Sequence, residues 1–363
     1  MKNKKIQIVF EAGPTHNGFK SAKKLIFSAA MAGADAIKFQ IIDANEIMAD
    51  KKIKIKYKIY SDNRLILKEN TIYSLLKKRM LTYSDWRKLK LYADSLNLDF
   101  FATVGSKKDI LFLKKIGCKE IKIASGDLNY LQLIEEVAKT GIKIQLDTGG
   151  GSLAQIENVI KTLKEKFRYK NTDITLHHCP PGYPTILNKV NLNYLNYLKD
   201  RFNVCIGFSD HSPGHDISIL ATTKNIDVLE KTISENKHYP SIEHCMALNT
   251  YELPDYVDIL RDIMKGTLKP KEIIKKNIFG KIKQINGSII KVRPNKVNIS
   301  SDVRRSLYLD KDQKKNTKLK DLQYKFKRPG YGIQPDEFIK YKNFKLKKNL
   351  KKNYNIKLSD IYK

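Results

Sequence analysis

Short apolar runs and amphipathic windows alternate eight times through the first part of this chain. This alternation constrains the possible fold more than any other feature of the sequence. Runs such as IQIVF (6–10) and DITLHH (173–178) have the length and the β-branched content of buried strands. Windows such as SAKKLIFSAAMAGA (21–34) place apolar residues three to four positions apart, as an amphipathic helix does. Eight strand–helix units predict an α/β protein with a (β/α)8 TIM barrel over residues 1–265.

An open, doubly wound sheet is the alternative arrangement of such units. Dinucleotide-binding sheets of that type carry GxGxxG after the first strand, whereas EAGPTHNG (11–18) follows the first run here. Gly, Pro and Asn are ordinary turn residues, so this loop alone does not identify a site. The count of eight units favours the closed barrel, in which EAGPTHNG is the first loop facing the site.

Polar residues recur where the predicted strands end. Because a barrel of this type builds its active site at the C-terminal ends of its strands, these side chains are expected to converge. They are Glu11, Lys38, Gln40, Thr103, Lys122, Ser125, Asp147, Thr148, His178, Ser209, Asp210, His211, Glu230, Lys231 and Thr232. Lysines among hydroxyl groups predict a binding site for phosphate and carboxylate groups.

Histidines and carboxylates near the last strands suggest a metal site. Imidazole and carboxylate groups suit Mn, Zn or Fe, although a single histidine is more often a core or hydrogen-bonding residue than a metal ligand. The candidate ligands are His211, His215, His238, His244, Glu230 and Glu243. In the pair His177–His178, neighbours on one strand point to opposite faces, and we expect His178 to point out of the barrel.

Two segments fall outside the repeat. Residues 42–78, between the second strand and its helix, are long for a connection, which is typical of a lid or substrate loop. After the barrel, residues 266–300 form a basic linker. Residues 301–363 contain short strand and turn patterns, and they predict a small β-rich domain that needs support from the barrel or from a partner chain.

The formal net charge of +31 could indicate a nucleic-acid partner. The basic residues are mostly lysine, in a chain also rich in Asn and Ile, and no nucleic-acid-binding motif is present, so we do not expect this function. The four cysteines form no CxxC pair, which suits a reducing compartment. The first apolar run is too short for a signal peptide and no window resembles a membrane span, so we expect a cytoplasmic protein without a membrane partner.

Several stretches resemble, in order and spacing, the motifs of the N-acetylneuraminate (sialic acid) synthase family. In the barrel they are EAGPTHNG, AGADAIKFQ, IKIASGD, LHHC with GYPT, GFSDHS and LEKT. RRSLYLDKDQKKNTKL and KRPGYGIQP resemble the C-terminal antifreeze-like (SAF) domain of that family. The resemblance covers nearly the whole chain and implies a SAF domain at residues 301–363.

The resemblance implies a divergent nonulosonic acid synthase, a transferase that forms a C–C bond. It would condense phosphoenolpyruvate with an N-acetylmannosamine-type or diacetamido hexose and release phosphate. Catalytic roles fall on Glu11, Lys122 and His211. Phosphoenolpyruvate would be held by Thr103, Lys122, Ser125, Asp147 and Ser209, and the sugar by Lys38, Gln40, Tyr183, Glu243 and Arg328. A divalent metal, Mn or Mg with Zn or Fe as alternatives, would be held by His211 and His244.

The resemblance further implies a domain-swapped homodimer in which Arg328 closes the site of the partner subunit. This chain departs from the family pattern at Thr232, where a second metal-binding histidine is usual, and at Pro181, Asp147 and Val104–Gly105. The second metal ligand is therefore expected to be His244 or Asp147. The sugar substrate is expected to differ from N-acetylmannosamine. Two alternatives stay open: a phosphoenolpyruvate-dependent synthase acting on a phosphorylated sugar, and a non-catalytic barrel that binds a sugar or anion.

Overall fold

The computed structural model describes residues 5–62, 64–274, 278, 280–287 and 299–363. Its strands, in chain order, are β1 (Gln7–Glu11), β2 (Ala36–Ile41), β3 (Lys54–Ser61), β4 (Arg64–Thr71), β5 (Asp99–Val104), β6 (Glu120–Ile123), β7 (Lys143–Asp147), β8 (Ile174–His178), β9 (Cys205–Asp210), β10 (Val228–Ser234), β11 (Leu248–Asn249), β12 (Ser306–Leu309), β13 (Tyr324–Lys327), β14 (Lys345–Leu346) and β15 (Ile361–Tyr362).

Eight parallel strands close into a barrel in the order β1-β2-β5-β6-β7-β8-β9-β10, and β10 pairs with β1 to complete the ring. A long helix follows each of these strands: Phe19–Met31, Tyr83–Ser95, Lys107–Lys115, Leu131–Ala138, Leu153–Lys161, Asn193–Phe202, Asp216–Thr222 and Leu253–Lys265. Side-chain caps fix two of the helix starts, at Thr82 with Asp85 and at Ser152 with Gln155. The predicted (β/α)8 barrel is confirmed.

Alternate residues of each strand point to opposite faces of the barrel wall. Outward-facing residues such as Ile8 and Phe10 pack against the helices in one large apolar core. Inside the barrel, a small apolar cluster of Val9, Ala36, Phe101 and Val228 forms the floor. The next inward-facing positions towards the C-terminal strand ends are polar. The core therefore ends where the candidate site begins.

The described part of residues 42–78 consists mainly of regular secondary structure rather than of an irregular loop. They form the short helix Ala44–Ile47, the antiparallel hairpin β3–β4 and the helix Ile72–Lys77. The hairpin packs on the barrel mouth through a cluster of Tyr57, Ile59 and Leu75 with Ile242. We call residues 42–79 the insertion, and it forms one wall above the strand ends.

The C-terminal residues 301–363 build a small module with the strand pairs β12–β13 and β14–β15 and the helix Pro335–Tyr341. Its own apolar core includes Leu307, Phe326 and Ile333. Fully buried Arg305 joins the module to the barrel, donating to both carboxylate oxygens of Asp127 at 2.8 and 2.7 Å. The module therefore covers the barrel mouth next to the insertion, with which it forms backbone hydrogen bonds such as that from the Arg328 N–H to the Ile47 carbonyl at 2.7 Å.

Part of the predicted linker, residues 288–298, lies outside the described residues. Its described portion contains the short helices Pro270–Ile273 and Ile282–Asn286. Ile285 from the second of these helices is fully buried in the barrel core. This portion is therefore attached to the barrel rather than being only a connector.

Candidate active site

A cavity of about 380 Å³ lies at the C-terminal ends of the barrel strands, between the insertion and the C-terminal module. The residues predicted for the site that line it are Glu11, Lys38, Gln40, Thr103, Ser125, Asp147, Tyr183, His211, Glu243 and Arg328. Lys122 and Ser209 are buried beside it and contact residues that line it. The strand-end pattern of the sequence thus identified part of the cavity lining, and the insertion contributes further residues that the pattern did not identify, including Ile55, Leu75 and Arg79.

A buried network of ion pairs forms the cavity floor, and Lys122 is its centre. The Lys122 ammonium is fully buried and donates to both oxygens of Glu230 at 2.7 Å. It also lies 3.0 Å from Asp147 Oδ1 and donates to the Ser209 hydroxyl at 3.2 Å. The sequence placed Glu230 at a strand end but did not predict this pairing, because only closure of the barrel brings β6 and β10 within reach.

The loop EAGPTHNG supplies the second part of this network. Glu11 forms an ion pair with Lys38, whose ammonium also lies 3.5 Å from Glu230 Oε1. The backbone N–H of Gly13 donates to the other Glu11 oxygen at 2.6 Å. A Cβ on Gly13 would lie 2.6 Å from that oxygen and 2.8 Å from the backbone of Gln40, so only glycine allows this approach. The loop is therefore a turn built to hold the Glu11 carboxylate.

The charges of this network shift its pKa values in opposite directions. Burial alone would lower the pKa of Lys122, but the carboxylates of Asp147 and Glu230 outweigh burial and raise it. Burial alone would raise the pKa of Glu230, but Lys122 and Lys38 outweigh it and lower it. For Lys38 burial dominates and lowers the pKa despite Glu230. Lys122 is therefore a permanent cation, while Lys38 is the ammonium that gives up its proton more readily.

His177 faces the barrel interior and was not predicted as a site residue. Its Nε2 lies 2.8 Å from Gln145 Oε1 and its Nδ1 lies 3.1 Å from the Ser209 hydroxyl. A Cβ on Gly207 would lie 2.5 Å from the ring, so this glycine makes room for it. His178 points outward, with Nε2 2.6 Å from the carbonyl oxygen of Val190. The alternation rule predicted this orientation of His178, and the same rule could have identified His177 as the inward residue.

The donors around His211 show whether the cavity suits a divalent metal. Burial lowers the pKa of His211 to about 4, so its imidazole is neutral and able to bind a cation at neutral pH. Asp147 and Cys179 line the same cavity, and Cys179 Sγ lies 3.8 Å from His211 Nδ1. Within the ranges that the structure describes, no group of three or more His, Cys, Asp and Glu side chains could hold a metal. His211 and Asp147 are therefore candidate donors that share one cavity, but they do not form a complete ligand set by themselves.

His244, the other predicted ligand, does not line the cavity that His211 lines. Its Nδ1 lies 2.8 Å from the Ser234 hydroxyl, and its ring centre is 5.0 Å from that of Tyr239. The preceding residue, Glu243, has φ 71°, in the left-handed region, and its side chain lines the cavity. Of the two alternatives for the second metal ligand, Asp147 shares the cavity with His211.

The described residues include no helix that is long and apolar enough to cross a membrane. The closed parallel barrel with a charged, enclosed cavity at the C-terminal strand ends defines the class of protein: a (β/α)8 barrel with an enzyme-type site. Residues 25–270 match the NeuB family, and the chain belongs to this family.

Named relatives agree with this assignment. The chain is 33% identical over 352 residues to the N,N'-diacetyllegionaminic acid synthase of Campylobacter jejuni, an alignment that covers 97% of each protein. The crystal structure of spore coat polysaccharide biosynthesis protein SpsE from Bacillus subtilis superposes with a TM-score of 0.76 at 25% identity, covering 99% of this chain and 95% of that one. The N-acetylneuraminic acid synthetase of Leptospira borgpetersenii gives 0.64 at 27% identity, covering 80% and 94%.

Proposed function

We propose that this protein is a nonulosonic acid synthase that condenses phosphoenolpyruvate with an acetamido hexose and releases inorganic phosphate. One observation carries the proposal. The cavity floor combines two buried ammonium groups, Lys38 and Lys122, with the carboxylates of Glu11, Glu230 and Asp147. Such a floor offers an anion site and a proton acceptor within one enclosed volume, and family membership supports the same reaction.

Phosphoenolpyruvate would bind on the β5–β7 side of the cavity. Thr103 and Ser125 line this side, and Lys122 and Ser209 lie beside it. The Asp147 carboxylate lies 3.0 Å from Lys122, so a bound anion would share that cation with Asp147.

The sugar would bind between the Glu11–Lys38 pair and the C-terminal module. Gln40, Tyr183 and Glu243 line this part, and Arg328 reaches it from the module. Tyr183 stacks near His211, with ring centres 4.6 Å apart. These groups would hold the aldehyde of the open-chain sugar against C3 of phosphoenolpyruvate, and correct placement of two reactants is itself a large part of catalysis.

The reaction joins C3 of phosphoenolpyruvate to the aldehyde carbon, while water adds to C2. Glu11 would accept the proton of that water, because its carboxylate is held in place by Gly13 and Lys38. The tetrahedral C2 then expels phosphate and leaves the keto acid, with Lys122 stabilising the departing charge. A divalent metal, Mn or Mg in preference to Zn or Fe, would be held by His211 and Asp147 and would polarise the sugar aldehyde.

The proposal predicts phosphate release that depends on a sugar. Protein with added Mn²⁺ and phosphoenolpyruvate is tested with N-acetylmannosamine, its 6-phosphate, and the diacetamido hexoses that lead to legionaminic and pseudaminic acids. We expect release with one of them and a loss of about 10²–10⁴-fold in kcat for Glu11→Gln, the usual effect of removing a general base. Absence of release with every sugar, from folded protein, would contradict the synthase and favour a binding barrel.

The C-terminal module is proposed to be a SAF domain that completes the site in a domain-swapped homodimer. In the single chain, Arg328 lines the chain's own cavity and its backbone N–H donates to the Ile47 carbonyl at 2.7 Å. In the proposed dimer the same contacts would be made by Arg328 of the partner subunit.

A mixing experiment distinguishes the two arrangements. Glu11→Gln and Arg328→Ala chains, each inactive alone, are unfolded together and refolded. In a swapped dimer the mixed pairs contain one complete site, so about a quarter of the wild-type activity should return. If Arg328 serves its own barrel, the mixture stays as inactive as its components. Refolded wild-type protein is the control.

A further inference from the structure

Arg79 is a cavity residue to which neither the sequence nor the proposed mechanism gives a role. It follows the helix Ile72–Lys77 of the insertion, and its half-buried side chain lines the cavity. The Glu243 carboxylate, which also lines the cavity, interacts electrostatically with it. In the described part of the chain, its guanidinium makes no hydrogen bond to another residue, although it carries five N–H donors.

The wall around Arg79 is apolar. It consists of Ile55, Ile72, Leu75, Leu76 and Ile242. The insertion follows β2, and Ile242 and Glu243 follow β10, so this wall stands above the β10–β1–β2 side of the barrel. Lys122 and Asp147 lie on β6 and β7, on another side of the ring. The cavity therefore combines a charged floor, which includes Lys38 on β2, with an apolar end formed by this aliphatic wall. Arg79 directly follows the helix that supplies Leu75 and Leu76 to the wall.

The chemistry of this apolar end selects a ligand group. A phosphate would be repelled by the Glu243 carboxylate and would face aliphatic side chains that offer it no hydrogen bond. A hydroxyl group could accept a hydrogen bond from Arg79, but it has no apolar part to pack on the aliphatic wall. An acylamino group satisfies both features, because its carbonyl oxygen accepts from the guanidinium while its methyl group packs on isoleucine and leucine.

We propose that Arg79 is a specificity-determining residue that binds a second acylamino group of the sugar, at the end remote from its aldehyde. This inference rests on the proposed synthase reaction and narrows its substrate to sugars with two acylamino groups and no phosphate. The aldehyde lies beside the phosphoenolpyruvate end, so the remote end of the sugar reaches the insertion wall.

The test compares two sugars in three variants. Phosphate release is measured with a diacetamido deoxyhexose and with N-acetylmannosamine, which lacks the second acylamino group. The variants are Arg79→Gln, Arg79→Lys and the matched control Arg87→Gln, which makes the same change at an exposed arginine outside the cavity. We expect Arg79→Gln to raise the KM for the diacetamido sugar about 10- to 100-fold and to leave the KM for phosphoenolpyruvate unchanged.

Arg79→Lys should fall between wild type and Arg79→Gln, because it keeps the charge but loses the planar pair of donors. Arg87→Gln should match wild type. An Arg79→Gln enzyme with the wild-type preference between the two sugars would overturn the inference, as would a wild-type preference for the 6-phosphate sugar. Binding of the diacetamido sugar, measured by calorimetry, tests the role of Arg79 without requiring turnover. Absence of turnover would therefore refute only the proposed synthase reaction. Equal affinity of wild type and Arg79→Gln would refute the role of Arg79.

Discussion

Replacing Lys122 with methionine should abolish detectable phosphate release and lower the free energy of unfolding by about 3–5 kcal/mol. Methionine has a similar length, but it leaves Glu230 and Asp147 facing each other without the ammonium that now lies 2.7 and 3.0 Å from them. The variant loses both the cation for phosphoenolpyruvate and the balance of charge in the floor. We expect a loss in kcat/KM of at least about 10³-fold, measured by phosphate release beside urea unfolding.

Lys231→Met is the matched control for this prediction. Lys231 is also fully buried and forms a single ion pair, 3.0 Å from Asp210, but it does not line the cavity. The Lys231→Met variant should lose about as much stability as Lys122→Met, but its folded fraction should keep most of the wild-type turnover. The double change Lys122→Met with Glu230→Gln should recover part of the stability, since it removes both charges, and none of the activity. Turnover by Lys122→Met near the wild-type rate would contradict the assignment of Lys122.

The protein should lose stability steeply as the pH falls from about 6.5 towards 4. Burial lowers the pKa of His16 and His177 to about 3 and that of His211 and His244 to about 4, from an ordinary value of 6.5. In this window the unfolded chain binds protons at these sites and the folded chain does not. Each histidine therefore lowers the free energy of unfolding by about 1.4 kcal/mol for each pH unit of acidification. For all four histidines the change is on the order of 5 kcal/mol per pH unit.

Two carboxyl groups act in the opposite sense, since burial raises the pKa of Glu243 and of Asp109 and lets the folded protein take up protons. The net slope should still favour unfolding in acid. Urea unfolding at pH 7.5, 6.5, 5.5 and 5.0 measures it. His16 lies in an aromatic cluster with Phe39 and Trp86. His16→Phe should reduce the pH dependence of the free energy of unfolding by about the contribution of one histidine. His238→Gln, at an exposed position, should leave it unchanged. Equal stability at pH 7.5 and 5.0 would contradict the prediction.

The sequence predicted the barrel and the strand-end residues of its cavity because both follow from local periodicity. Strand alternation places Lys38, Lys122 and Asp147 on the inner face once the strand bounds are known. The pairing of Lys122 with Glu230 depends instead on closure of the ring, which no local pattern specifies. His244 does not line the cavity, and the left-handed backbone of Glu243 just before it has no signal in the local pattern.

The insertion is different, since a local signal existed and was missed. Ile53, Ile55, Tyr57 and Ile59 alternate with lysines in IKIKYKI (53–59), the period of a half-buried strand. The interpretation of this segment as a loop did not predict the hairpin. It therefore could not place Arg79, whose position depends on how the hairpin and the following helix pack on Ile242.

The placement of the insertion has a consequence for how such enzymes diverge. It lies between β2 and its helix and contributes no residue to the ion pairs around Lys122. Substitutions, shortening or replacement within it would change the aliphatic wall of the cavity while the ion pairs around Lys122 stay the same. One set of charged residues could thus serve a series of related ligands, with the choice among them set by one segment of the chain.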